Sequence, residues 1–462
     1  MKDYQLIVIG AGPGGYSAAL RAAKLGLHTA VVENREAGGT CLNRGCVPTK
    51  TLLHASRIFH EAKTGTHAGI HADGVCADMR EVFAYKRQIS EKLSAGIEGL
   101  LKSAKVDLIR GTGLILSSGA VQVTDAQGGK TTYTCDNILA ATGSVPAKPP
   151  IPGLELPGVM TSDELLEGCD HLYDSIVIIG GGVIGIEFAT FYQELGTKVT
   201  VIEGMDRLLP TMDRELGQNL ALILKKQGVE IFTNSMVQQV VQAEDGLSVR
   251  FTAKEAPHAV TGEAVLCAIG RKPYWRDAFA PDLQPETAGH SLKVDERYQT
   301  SIPGIYAIGD VSSRIQLAHV AASQGIACVE MMCGAENHTS QSVVPSCIYC
   351  HPEIAVVGMT DAEAKAAGIP CKVGKCVLGG NARTMIADTG RAFLKIVAHA
   401  DSHEIIGAQF MCEHSTDMIS QISQAIANHM TASQLLLAMR PHPTFEEAVS
   451  DALEDLCKKL EK

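Results

Sequence analysis

The chain has 462 residues, enough for about three domains, and its 45% hydrophobic and 20% charged content is that of a well-buried protein. A net charge of −11 argues against nucleic-acid binding, which needs a basic surface. No uninterrupted apolar run reaches membrane-spanning length and the N-terminal apolar stretch breaks into glycines, so a cytoplasmic protein without a membrane anchor is expected; there, any disulfide among fourteen cysteines should be catalytic.

Tyr4–Ile9 reads as a buried parallel strand. It runs into Gly10-Ala-Gly12-Pro-Gly-Gly15, an Ala-rich helix over about 16–25, Gly26, a strand over 28–32 and then Glu33. This is a dinucleotide fingerprint in context. Gly10 permits the tight turn, Gly12 lets the backbone approach a pyrophosphate, Gly15 packs helix on strand, and Glu33 accepts hydrogen bonds from a ribose. Residues 38–50 follow: Gly-Gly-Thr-Cys41-Leu-Asn-Arg-Gly-Cys46-Val-Pro-Thr-Lys50. A cysteine at a helix start has a lowered pKa, which points to a redox-active pair beside the bound nucleotide. The spacing alone proves nothing, because Cys328/Cys333 and Cys371/Cys376 share it. On a helix that spacing puts the two side chains off a common face, and on a strand it sends them to opposite faces.

Residues 78–104 read as a long amphipathic helix, 106–134 as strands of a meander, and 145–157 as a proline-rich linker after Thr142-Gly143. The fingerprint then recurs: strand, Gly180, Gly182, Gly185, helix, Gly196, strand, Glu203. Each position lies 170 residues after its counterpart, so the chain holds two dinucleotide sites. A second turn at 268–273, including Gly270, reads as the exit from this inserted unit. A buried strand ending in Gly309-Asp310 places an acid where a cofactor would be gripped, with a helix starting near Leu317. From 343 onward strands and helices mix with no fingerprint, which reads as an α+β domain. The domains expected are 1–147, 148–275, a central region 276–342 completing the first site, and 343–462.

Cys347-Ile-Tyr-Cys350-His351 matches a haem-attachment pattern, but such attachment belongs with export, and a zinc site would need two more clustered ligands; no metal is expected. His442-Pro-Thr-Phe-Glu446-Glu447 can supply a base and the carboxylate that orients it.

Taken together, these motifs resemble the flavin-dependent pyridine nucleotide–disulfide oxidoreductases, and within them the branch that oxidises dihydrolipoyl groups. The resemblance covers nearly the whole chain and includes 205–213 and 351–354. It implies an α/β fold of two Rossmann-like domains, for FAD and NAD, plus a C-terminal α+β dimerisation domain. It implies a Cys41–Cys46 disulfide, with Cys46 the flavin-side thiol and Cys41 the interchange thiol, and Lys50 paired with Glu187 near the flavin. Gly10, Gly12, Gly15, Glu33, Lys50, Thr142, Gly143, Asp310 and Ala318 are implied for FAD. Gly180, Gly182, Gly185, Glu203 and Gly270 are implied for NAD. In an implied homodimer, His442 and Glu447 serve the partner subunit's site. Many such chains carry a second histidine two positions before His442; this one has Arg440. Glu203 favours NAD over NADP, because its charge repels a 2′-phosphate. With no lipoyl domain in the chain, the expected partner is a separate lipoyl-carrier protein or lipoylated acyltransferase, of a 2-oxoacid dehydrogenase and/or glycine cleavage complex. The competing expectations are an NADPH-dependent reductase of glutathione or another small disulfide, and a flavin-binding docking subunit without turnover.

Overall fold

The computed structural model describes residues 2–337 and 341–462. Strand Tyr4–Ile9 is the centre of the first sheet. It pairs in parallel with Thr29–Glu33 on one side and with Lys130–Ala140 on the other. Asp107–Arg110 extends the sheet beyond Thr29–Glu33, and Ile305–Ala307 extends it beyond Lys130–Ala140, also in parallel. The sheet is apolar on both faces (Leu6, Ile7, Val8, Val31 and Ile138 are fully buried), as a parallel sheet covered on both sides must be. Helices Pro13–Lys24 and Ala318–Met332 cover one face. They approach closely because Gly325 meets Gly14 with no Cβ between them; one added at 325 would stand 2.4 Å from the Gly14 carbonyl oxygen.

One reading is corrected here. Residues 106–110 are not the first strand of the meander but the parallel edge strand Asp107–Arg110. The antiparallel meander is Thr112–Ser117, Ala120–Thr124 and Lys130–Ala140. Periodicity reports which face is buried but not which neighbour a strand takes. The long helix spans Met79–Ser103, and Asp78 caps it by accepting from the Arg80 and Glu81 amides.

The second sheet repeats the plan, in the order Glu230–Phe232, Lys198–Ile202, Ser175–Ile179, Ala264–Cys267, Val159–Thr161, with every pair parallel. A three-stranded antiparallel sheet, Ser235–Ala243, Gly246–Ala253 and Ala256–Gly262, is packed against it through Val249 and Phe251. The connections into and out of this unit, Ser144–Pro146 and Arg271–Pro273, pair with each other antiparallel. The C-terminal unit is a five-stranded antiparallel sheet, ordered Ser346–Ile348, Ile354–Gly358, Ile405–Met411, Phe393–His399, Cys371–Val377. Helices Ser415–Ala427 and Glu447–Leu460 bury Ile422, Val449 and Leu453 in its core. No helix among the described residues is long and apolar enough to cross a membrane.

Candidate active site

The two fingerprints match down to single hydrogen bonds. Gly10 and Gly180 have φ of 102° and 109°, where a side chain is strained, and a Cβ on either would stand 2.5 Å from a backbone carbonyl oxygen. A Cβ on Gly15 or Gly185 would lie 1.8 or 2.0 Å from the carbonyl oxygen of Gly10 or Gly180. Glu33 accepts from the Ala11 amide (2.8 Å) and the Arg35 amide (2.8 Å). Glu203 accepts from Gly181 (2.6 Å) and Met205 (2.7 Å), the same positions 170 residues later. Each carboxylate thus fastens its own glycine loop and keeps further lone pairs for a ligand.

Gly12 and Gly182 cap helices Pro13–Lys24 and Val183–Leu195 without a side-chain hydrogen bond, so first-turn amides remain for an anion. A Cβ at Gly182 would meet nothing within 4 Å, and one at Gly12 only the Gly39 Cα at 3.9 Å. These are open cradles at helix N-termini, which fit the pyrophosphates of two dinucleotides.

Cys41 lies in the short helix Gly39–Asn43, and Cys46 is the first residue of helix Cys46–Thr64. Both are free thiols, and they share a hydrogen bond. Cys46 is held down at about 7 chiefly by that hydrogen bond and then, against its burial, by the Lys50 ammonium. Cys41, which donates, is held well above the usual thiol range. One turn on, Lys50 Nζ donates to both Glu187 oxygens at 2.9 Å. Glu187 is 3% exposed on helix Val183–Leu195, so this pair ties the first unit to the second. Tyr349, from the C-terminal unit, adds its amide to Glu187 Oε1 at 3.1 Å and its ring 4.6 Å from Lys50 Nζ.

A cavity of about 1310 Å³ joins these groups. It is lined by Gly10, Gly12, Glu33, Cys41, Cys46, Lys50, Thr142, Gly143, Gly180, Gly182, Glu187, Glu203, Gly270, Asp310 and Ala318. Asp310 accepts from Ser144 Oγ at 2.6 Å, and burial raises its carboxyl pKa. Arg271 donates to that same Ser144 Oγ (2.9 Å), to its carbonyl (2.7 Å) and to Asp163 (3.1 Å). Thr142 donates to the Tyr274 carbonyl. Gly15 and Gly185 do not line the cavity; they sit under their loops. His442 and Glu447 are also absent from its lining. His442 Nδ1 is 2.8 Å from Glu447 Oε1, whose other oxygen accepts from the Thr444 amide, and His442 is 73% exposed. Behind it Arg440 is fixed by Ser450 (3.0 Å), Gln421 (3.0 Å) and the Ala438 carbonyl (3.1 Å).

Family models match the chain twice: pyridine nucleotide–disulphide oxidoreductase over residues 4–325, and that family's dimerisation domain over 344–453. The chain belongs to the pyridine nucleotide–disulphide oxidoreductase family. It is 37% identical to a dihydrolipoyl dehydrogenase of Bacillus subtilis, with 97% of each chain covered. It is 36% identical to dihydrolipoyl dehydrogenase 3 of Pseudomonas putida, with 98% of each covered. Among solved structures it is similar to LpdA from Mycobacterium tuberculosis (28% identity, TM-score 0.89, 97% and 99% covered). It is also similar to the HOCl-induced flavoprotein disulfide reductase RclA from Escherichia coli (28%, TM-score 0.86, 98% and 99% covered).

Sequence reasoning missed three side chains that contact groups lining this cavity: Ser144, Arg271 and Tyr349. Ser144 stood beside Thr142-Gly143, a signal that could have drawn attention to it. Tyr349 lies inside the Cys347–His351 pattern, which carries no signal for this contact. Cys347 lines the cavity, while Cys350 is buried and donates to the Pro352 carbonyl at 3.2 Å. His351 lies 2.6 Å from Glu413 and contacts Arg57. Among the described residues no group of histidines, cysteines and acids is placed to hold a metal ion. Cys328 is buried in helix Ala318–Met332 while Cys333 is exposed at its end, and Cys371 and Cys376 lie apart on one strand.

Proposed function

We propose that the protein is a dihydrolipoyl dehydrogenase: a homodimer that oxidises dihydrolipoyl groups on a separate carrier protein, using FAD and NAD. The observation that carries the reading is the Cys41–Cys46 pair in one cavity with both fingerprints. The printed names of relatives similar over nearly the full chain support the substrate. We divide the chain at 1–147, 148–275, 276–342 and 343–462, because the pairing of Ser144–Pro146 with Arg271–Pro273 brackets the second unit.

FAD belongs at Gly10, Gly12, Glu33, Lys50, Thr142, Gly143, Asp310 and Ala318, and NAD at Gly180, Gly182, Glu203 and Gly270, with Gly15 and Gly185 supporting their loops from beneath. NADP is disfavoured by Glu203. Arg207, the nearest cation in sequence, is turned away to Asp206 (2.8 Å) and the Pro210 carbonyl (2.8 Å).

The turnover starts from the Cys41–Cys46 disulfide. The partner subunit's His442, with its Nδ1 held by Glu447, takes a proton from a dihydrolipoyl thiol. The thiolate attacks Cys41, forming a mixed disulfide and releasing Cys46 as a thiolate that the helix start and Lys50 stabilise. The second substrate sulfur displaces Cys41 and closes the lipoyl ring. The substrate loses two electrons and two protons, and Cys41 and Cys46 hold the electron pair. Bound FAD and NAD supply the acceptor for that pair, and the disulfide is restored. In this scheme Lys50 and Glu187 fix the charge beside Cys46.

The test is NADH formation from dihydrolipoamide and NAD+, run beside NADPH oxidation with glutathione disulfide. NADH formation alone is expected. Turnover with NADPH and glutathione disulfide alone would replace this reading with the small-disulfide reductase, and no turnover in either assay would favour a docking subunit.

A further inference from the structure

The Lys50–Glu187 pair is held from three units, and the third grip comes from the domain that the family model assigns to dimerisation. Tyr349 follows strand Ser346–Ile348. Its amide donates to Glu187 Oε1 (3.1 Å), and its ring faces Lys50 Nζ at 4.6 Å, within cation–π range. Lys50 thus meets a carboxylate on one side and a π face on the other. The segment carrying Tyr349 is itself pinned to the helix of Cys46 and Lys50: two turns on from Lys50, Arg57 contacts His351 and lies 3.5 Å from Glu413, which His351 also engages at 2.6 Å.

We propose that Tyr349 is a positioning residue whose ring holds Lys50 against Glu187 beside Cys46, so that the C-terminal domain sets the charge environment of the redox thiol as well as the dimer contact. The inference rests on the proposed roles of Cys46 and Lys50. The charged and titratable groups acting on Cys46 are Cys41 from helix Gly39–Asn43, Lys50 from its own helix and Glu187 from helix Val183–Leu195. Of these, Cys41 and Lys50 favour its thiolate and Glu187 opposes it. A Lys50 that drifts from Cys46 therefore leaves Glu187 dominant. The contact with Lys50 is made by the ring face and that with Glu187 by the backbone amide, so a phenylalanine is expected to serve equally well.

The experiment uses the flavin-loaded, two-electron-reduced protein and follows the long-wavelength absorbance of a thiolate against flavin as pH is varied. Tyr349→Leu removes the ring. Replacing Tyr349 by 3,4,5-trifluorophenylalanine keeps its shape but cancels most of its π charge, so the test survives if the leucine variant does not fold. The midpoint is expected to rise by about 0.3–0.5 unit in both, and kcat at neutral pH to fall about 1.5- to twofold with KM for dihydrolipoamide unchanged. Tyr349→Phe should restore wild-type behaviour. Midpoints within about 0.1 unit of wild type in the fluorinated variant would overturn the proposal. Cys46→Ser separates the two levels: if it keeps the absorbance band, the assignment of Cys46 fails; if it loses the band while the ring variants titrate as wild type, only the role of Tyr349 fails.

Discussion

Replacing Lys50 with methionine tests two consequences of one ion pair. Glu187 is nearly inaccessible, so without Lys50 its carboxylate keeps, among the described residues, the Tyr349 amide. Removing one partner of a fully buried pair costs about 3–5 kcal/mol. Lys50 keeps 30% of its side chain exposed, so solvent screening brings the expected loss to about 2 kcal/mol. The second consequence is electrostatic. Lys50 lowers the Cys46 pKa and Glu187 raises it, so losing the cation moves the midpoint up from about 7. An opposite charge at such range shifts a pKa by about one unit or more. The thiolate fraction at neutral pH should therefore fall several-fold. Urea unfolding of the flavin-loaded protein reads the first effect, and the pH titration of the thiolate–flavin absorbance reads the second. A Lys50→Met protein whose midpoint stays at the wild-type value or drops below it would refute the electrostatic reasoning, whatever its stability.

Three further outcomes follow from the geometry. Gly15→Ala drives a methyl into the Gly10 carbonyl and should abolish flavin loading, whereas Gly185→Ala should keep flavin and lose NAD-dependent turnover; the flavin-to-protein absorbance ratio distinguishes them. Glu203→Ser removes the acceptor expected to face the ribose and should cut kcat/KM for NAD by about tenfold while narrowing its preference over NADP, as steady-state kinetics with both nucleotides will read. If His442 acts across the dimer, His442→Gln and Cys46→Ser proteins, each inactive alone, should regain up to about a quarter of wild-type activity when co-expressed, since half the dimers are mixed and each has one intact site. Failure to complement, with mixed dimers demonstrated, would place His442 elsewhere.

Much of this architecture was legible in the chain because it is written twice. Gly10, Gly15 and Glu33 recur at Gly180, Gly185 and Glu203, and each pair meets the same steric or hydrogen-bonding demand. The cysteine loop was legible from its setting, with Cys46 opening a helix and Lys50 one turn on. What was hidden depended on distant partners. The edge strand Asp107–Arg110 has the pattern of a meander strand, and only its pairing with Thr29–Glu33 distinguishes it. Arg271 acts through Ser144, 127 positions away, and Tyr349 acts on Glu187, 162 positions away; neither stands in a local motif for that role. The antiparallel sheet of 235–262 is hard to read from the chain because its last strand, Ala256–Gly262, is largely exposed and made mostly of small residues, with little apolar alternation to mark it.

The central claim is that Cys41 and Cys46 are the two thiols that exchange electrons with substrate. The most direct measurement is differential thiol labelling of the air-oxidised protein before and after anaerobic addition of one equivalent of dihydrolipoamide, with the labelled cysteines located by mass spectrometry. The account predicts that two new thiols appear, at Cys41 and Cys46, while the other twelve cysteines label equally in both states. New labelling at Cys347 or another cysteine, with Cys41 and Cys46 unchanged, would contradict it.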